Sequence, residues 1–361
     1  MVDAIIREID ITPGKRIRQI TSVYFGGGTP SILLGKELRA LMETVRTQFQ
    51  VMPGAETTFE VNPDDMNATT LPFWKQQGIN RLSIGIQSFR DEDLAWMNRD
   101  HSAAQALAGI ELVRKEGFSN YSIDLIYGVP GMDDDAWRAN LARAIDLEVP
   151  HISAYALTVE PKTALSTLIE KGDRPPVDAN QQARQFLIAM DMLGQAGYEH
   201  YEISNFARPG MRSRHNSSYW SGVPYFGFGP GAHSFNGQAR YWNVSHNARY
   251  IQSLMQGVIP YEKEELTETQ MLNEYIMTSL RTIEGLDLAR VRSNWGEEKA
   301  ETLRTESAKH VNLGRLILRD KQFTLTREGK LFADGIAADL FFLDPRPGNR
   351  PDHSPDGEPA S

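Results

Sequence analysis

The sequence predicts an α/β fold whose parallel sheet curls into a barrel or part of one. Two observations carry that prediction. Strand-like and helix-like segments alternate between Met1 and Glu160 with a repeat of roughly 30 residues, the length of a strand plus a crossover helix. Polar residues also cluster at the C-terminal ends of four successive strand candidates: Gly26–Thr29, Glu60 with Asn62, Gln87 and Asp124. A doubly wound sheet uses that end mainly at one switch point, whereas a barrel builds its site from several strands at once.

The strand candidates are Ile20–Phe25, Thr57–Val61, Arg81–Ile86, Ser122–Tyr127 and Ile152–Leu157. Each is a short run rich in Ile, Val, Phe, Tyr or Leu with Gly, Pro or Asn at its borders. Helical patterns lie between them at Gly35–Phe49, Asn67–Gln77, Asp91–Met97, Ser102–Gly117 and Asp133–Leu147. Asn67, Ser102 and Asp133 are capping residues at helix starts, and Gly78 and Gly117 follow helix ends. A helix at Asn180–Gly197 then leads into a loop-rich aromatic segment, Tyr198–Asn243, and Glu268–Thr282 opens a smaller C-terminal region. Its last part, GRLILRDKQFTLTREGKLFADGIAADLF, reads strand–turn–strand–helix, similar to the wing of a winged-helix fold. The expected division is a barrel core at 1–175, an aromatic and Gly-rich segment completing it at 176–260, a C-terminal α+β domain at 261–342, and a disordered Pro-, Asp- and Gly-rich tail at 343–361.

Composition narrows the function. With 38 Lys and Arg against 47 Asp and Glu, the net charge of −9 argues against nucleic acid or an anionic membrane as a general partner. No apolar run is long enough for a membrane span, and MVDAIIREIDITPGKR lacks the order of a signal peptide, so a soluble cytoplasmic protein is expected. The chain has no cysteine, hence no disulfide, thiolate metal site or thiol nucleophile. Its 8 histidines show no zinc-type spacing.

Several residues could carry chemistry. Gly26, Gly27 and Gly28, followed by Thr29 and Pro30, match neither GxGxxG nor the P-loop. They leave the backbone open to an amino acid's ammonium and carboxylate, or else form a tight turn. Glu60 in TFEVNPDD could pair with a ligand ammonium or simply end its strand. Asp124, between Ile123 and Leu125, reads as pointing into an apolar setting and so needs a partner, such as a ribose hydroxyl or an arginine. Arg99 could hold a carboxylate or lie on a helix surface. His215, Tyr219 and Trp220 of HNSSYW could offer iron an imidazole and a porphyrin aromatic faces, or form a packed aromatic loop.

Taken in order, GGGTPS, EVNPDD, RLSIGIQSF, MNRDH and DLIYGVPG resemble the radical S-adenosylmethionine family. The closest branch holds oxygen-independent coproporphyrinogen III oxidase and the HemW heme chaperones. The resemblance implies a partial (β/α)6 barrel with an α-rich C-terminal domain. It implies that Gly27, Gly28 and Thr29 hold the methionyl part of S-adenosylmethionine and that Glu60, Gln87, Arg99 and Asp124 complete its site. HNSSYW resembles the chaperone branch, which implies heme contact at His215, Tyr219 and Trp220, with His215 as the iron ligand and His233 of GPGAHSF as competitor. Heme transfer to an acceptor protein, free or membrane-associated, would then be the task. The oxidase that decarboxylates coproporphyrinogen III is the alternative, and a heme- or S-adenosylmethionine-binding module without chemistry is a third. One departure stands out. The family binds a [4Fe–4S] cluster through CxxxCxxC after its first strand, and these residues hold no such motif. The chain is therefore expected to lack that first strand and its cluster ligands, with Met1 an internal methionine.

Overall fold

Seven strands form the sheet that organises the larger part of the chain, and the computed structural model describes it within residues 1–14 and 19–344. In chain order the strands are β1 (Gln19–Phe25), β2 (Gln50–Val61), β3 (Arg81–Gln87), β4 (Tyr121–Tyr127), β5 (His151–Ala156), β6 (Glu199–Glu202) and β7 (Asn205–Ala207). Their spatial order is β1-β2-β3-β4-β5-β7-β6. Strands β1 to β5 pair in parallel with consecutive neighbours, and β7 and β6 close the row as an antiparallel hairpin. This is the expected partial barrel: five parallel strands and an added hairpin, with β1 at one edge.

The crossovers are helical, as parallel pairing requires. They are α1 (Val2–Ile11) before β1, then α2 (Gly35–Gln48), α3 (Thr70–Gln76), α4 (Asp91–Trp96), α5 (Ala103–Lys115), α6 (Asp134–Asp146), α7 (Ala164–Glu170) and α8 (Ala179–Gln195). The capping signals work as read. Ser102 Oγ accepts from the Gln105 N–H, and the Asp133 side chain accepts from Ala136 N–H. Asn67 Oδ1 accepts from the N–H groups of Thr69 and Thr70, so it caps the turn from which α3 starts three residues later than expected.

Alternation along the strands divides the sheet into two unlike faces. Phe59, Leu82, Ile84, Ile86, Ile123, Leu125 and Ile152 point outward against the helices and are fully buried. The opposite residues point inward, and parallel registration aligns them into rows: Ser22 beside Glu56, Tyr24 beside Thr58 and Arg81, and Glu60 beside Ser83, Ser122 and His151. Asp124 pairs in register with Ser153. The interior of the half-barrel is therefore polar.

After β7 comes α9 (Arg214–Trp220), a short helix packed against β1. Strands β8 (His233–Phe235), β9 (Ala239–Asn243) and β10 (Tyr261–Glu265), with α10 (Asn247–Met255), form a small antiparallel sheet and helix. They dock on α1 through Ala4, Tyr250 and Leu254 and through the buried Glu8, which accepts from Asn243 Nδ2 at 2.6 Å and Gly229 N–H at 2.9 Å. The C-terminal region holds α11 (Glu268–Leu280), β11 (Leu286–Asp287), α12 (Leu288–Trp295), α13 (Glu297–Asn312), β12 (Leu316–Arg319), β13 (Gln322–Leu325) and α14 (Ala333–Asp339) around its own apolar core. The expected strand–turn–strand–helix is present as β12, β13 and α14. Beyond Asp344, the tail expected to be disordered lies outside the described residues.

Candidate functional site

The C-terminal ends of β1 to β4 converge on a mouth, and four of the expected ligand-binding residues meet there. Tyr24 on β1 donates its hydroxyl to Glu60 Oε1 on β2 at 2.6 Å. Arg99, in the loop after α4, reaches Asn62 Oδ1 at 3.4 Å and the Gly85 carbonyl at 3.3 Å. Glu60 and Arg99 both lie close enough to Asp124 to act on its charge. Gln87 adopts a φ of 66° where the β3–β4 register shifts, a left-handed backbone that a residue with a side chain seldom takes. That strain falls on the rim of the mouth, where functional sites store it.

The glycine loop shows why its residues differ. A Cβ on Gly26 would lie 2.5 Å from a Tyr24 ring carbon and 2.7 Å from Glu60 Oε1, so packing alone excludes a side chain there. Around Gly27 and Gly28 there is nothing within 4 Å, and Gly27 has a φ of 85°. Their backbone faces open space beside Glu60, which suits the ammonium and carboxylate of an amino acid. Thr29 follows as the residue preceding a short 3-10 turn at Pro30–Ile32.

Asp124 corrects one reading of its surroundings. Its sequence neighbours Ile123 and Leu125 belong to the outer face, so the carboxyl sits in the polar interior. Burial nevertheless dominates and pushes its pKa up to about 7. The Ser153 hydroxyl pulls the other way, Glu60 adds to the rise, and Arg81 and Arg99 oppose it. A carboxyl poised near neutrality can accept from, or donate to, a ribose hydroxyl.

His215 turns inward from α9. Its Nδ1 lies 3.1 Å from Ser22 Oγ, and its ring stacks on Tyr24 with centroids 4.6 Å apart. Burial lowers its pKa and favours the neutral imidazole, an effect that Glu56 partly offsets. Nε2 has no hydrogen-bond partner among the described residues. Tyr219 is exposed, and Trp220 is half-buried beneath the Arg281 guanidinium at 5.2 Å. His233 lies elsewhere, exposed on β8 with its ring over Trp242.

The interior contains groups that strand-end reasoning missed: Tyr24, Glu56, Arg81 and Ser153. Each sits at an alternate position of its strand, as in Glu56-x-Thr58-x-Glu60, and that period-2 polar pattern was available as a signal. No cluster of three or more His, Asp or Glu able to hold a metal occurs among the described residues, and none of the 361 residues is cysteine. Soft iron sites need thiolates, so these residues do not fit an iron–sulfur cluster.

The half-barrel with its glycine-rich loop and polar mouth falls in the radical S-adenosylmethionine class of protein by sequence comparison. The sequence model of the Radical SAM superfamily matches residues 2–144, and that of the HemN C-terminal domain matches residues 266–332. The chain is 35% identical over 322 residues to the heme chaperone HemW of Mycobacterium tuberculosis, covering 89% of this chain and 80% of that protein. The HemW of Bacillus subtilis is 33% identical over 319 residues, with 88% and 84% covered. Among solved structures, the coproporphyrinogen III oxidase HemN of Escherichia coli, described as a radical SAM enzyme, superposes with a TM-score of 0.82 at 24% identity over 94% of this chain and 82% of that one. The last likeness is one of fold. The chain belongs to the HemW family of the radical S-adenosylmethionine superfamily. No helix among the described residues is long and apolar enough to cross a membrane.

Proposed function

We propose that this protein is a heme chaperone: it binds heme against α9 and passes it to an acceptor protein. The observation that carries the proposal is the setting of His215. Ser22 engages Nδ1, Tyr24 holds the ring plane, burial favours the neutral form, and Nε2 is left for a ligand. Iron-binding imidazoles are ordinarily oriented in this way, through a hydrogen bond at the other ring nitrogen. Tyr219 and Trp220 on the same helix supply aromatic faces for the macrocycle. The names of the similar chaperones support the same task.

S-adenosylmethionine is assigned to the mouth. The Gly27 and Gly28 backbone and Thr29 would take its methionyl group, with Glu60 facing the ammonium. Arg99, Gln87 and the near-neutral Asp124 would complete the cradle. In the superfamily that molecule supplies radical chemistry when joined to a cluster. These residues provide no thiolate for one.

Heme titration tests the reading. Replacing His215 by Ala (His215→Ala) is expected to weaken binding and displace the Soret band, while His233→Ala leaves both unchanged. Identical spectra for wild type and His215→Ala would remove His215 as the iron ligand, and a displaced band in His233→Ala would move that role to β8.

A further inference from the structure

Glu56 is a carboxylate with only 3% of its surface exposed, set well below the mouth and outside the S-adenosylmethionine cradle. Its position on the inner face of β2 would be costly without partners. All of its described hydrogen-bond partners lie at the start of α9. Oε1 accepts from the His215 N–H at 3.0 Å, Oε2 accepts from the Arg214 N–H at 3.2 Å, and the Ser213 hydroxyl lies 3.4 Å from Oε1. The fully buried Arg81, on the adjacent strand, supplies an opposing charge that acts on it. A strand residue thus grips, by two charge-assisted hydrogen bonds, the first turn of the helix that carries His215.

This grip is specific in direction. Seven residues are too few to hold a stable helix by themselves, so tertiary contacts must decide where α9 points. Glu56 holds the backbone of His215 itself, and Tyr24, two positions along the neighbouring strand from Ser22, supports its ring. Backbone and imidazole are therefore held from two strands at once.

We infer that Glu56 is the positioning residue for His215, anchoring the first turn of α9 so that Nε2 presents to a heme iron. The inference rests on reading α9 as the heme-binding helix, but the anchor itself can be measured without heme. Two variants of the full chain, Glu56→Gln and Glu56→Asp, would be compared with wild type by heme titration and by amide hydrogen exchange of the 213–220 segment. Glutamine keeps the shape and loses the charge; aspartate keeps the charge and draws it back from the helix. Exchange in 213–220 is expected to quicken by about tenfold in both variants, the amount that losing one charge-assisted bond implies, with heme affinity falling by a similar factor and the Soret band moving toward that of His215→Ala. Exchange elsewhere in the sheet should stay as in wild type, and a loss of protection across the whole sheet in both variants would overturn the positioning role in favour of a structural one. Unchanged exchange and unchanged heme spectra would overturn the anchor and leave the chaperone reading intact. Wild type that binds no heme would remove the chaperone reading. The exchange data alone would then decide the anchor.

Discussion

The two faces of the large sheet are made from the same strands and obey opposite rules. Phe59 points outward into Trp74 and Phe25 with no surface exposed, while Thr58, one residue earlier, points inward among Tyr24 and Arg81. The outer face is ordinary core, where each buried side chain contributes about 1.5–3 kcal/mol by leaving water. The inner face buries Glu56, Arg81 and His151, with Asp124 close by, and gains little from that burial. Stability resides on the outer face, and the polar groups gather on the inner one, where burial contributes little.

Substitutions on the two faces can break this contrast. The largest effect is expected outside: Phe59→Ala removes a fully buried ring and should destabilise by about 3–5 kcal/mol in a urea melt. A loss below about 1 kcal/mol would mean that the outer face is not the principal core.

Inside, the pH dependence is the diagnostic. The folded pKa of Asp124 stands near 7, above the ordinary carboxyl value that the unfolded chain has. Its contribution is fully present below about pH 4 and is lost as pH rises toward 7, because the unfolded chain ionises first. Wild type should therefore lose up to about 4 kcal/mol relative to Asp124→Asn across that window, read as the difference between urea midpoints at successive pH values. Parallel profiles for the two proteins would show that the carboxyl is ionised and well solvated.

The smallest effect concerns Thr58, whose buried hydroxyl has no hydrogen-bond partner in the described structure. Thr58→Val keeps the shape and removes the orphan. It should leave stability unchanged or raise it by up to about 1 kcal/mol. Thermal melts of Phe59→Ala and Thr58→Val side by side should thus show a large loss for the first and none for the second, and a large loss for both would erase the distinction between faces.

Much of the fold was legible from local signals. Four of the five expected strands and most of their helices fell near their observed limits because β-branched runs, caps and glycines act over a few residues, whereas β2 begins at Gln50, before the expected Thr57, because Pro53 and Gly54 interrupt the pattern. The start of α3 was misplaced because Asn67 caps a turn that precedes the helix proper. The β6–β7 hairpin escaped because its strands are short and Glu202 and Asn205 break the apolar pattern; they bond each other, and Glu202 also meets Arg281 of the C-terminal region. At the mouth, Glu60, Gln87 and Asp124 were legible as strand-end polar residues, and Arg99 as a cation able to hold a carboxylate. Tyr24 and Glu56 lay hidden within runs that read simply as strand.

The sequence by itself determined that this is a parallel α/β protein with a glycine-rich turn after its first strand, a row of polar strand ends and no thiolate, since composition and short-range pattern are sufficient for each. The tertiary structure alone decided which residues meet. It turned Asp124 away from its apolar neighbours, brought Glu56 and Tyr24 to a helix 159 positions beyond Glu56, and left the Nε2 of His215 without a partner among the described residues. Pairing strands in register places distant residues on one face, and no local preference along the chain encodes that distance.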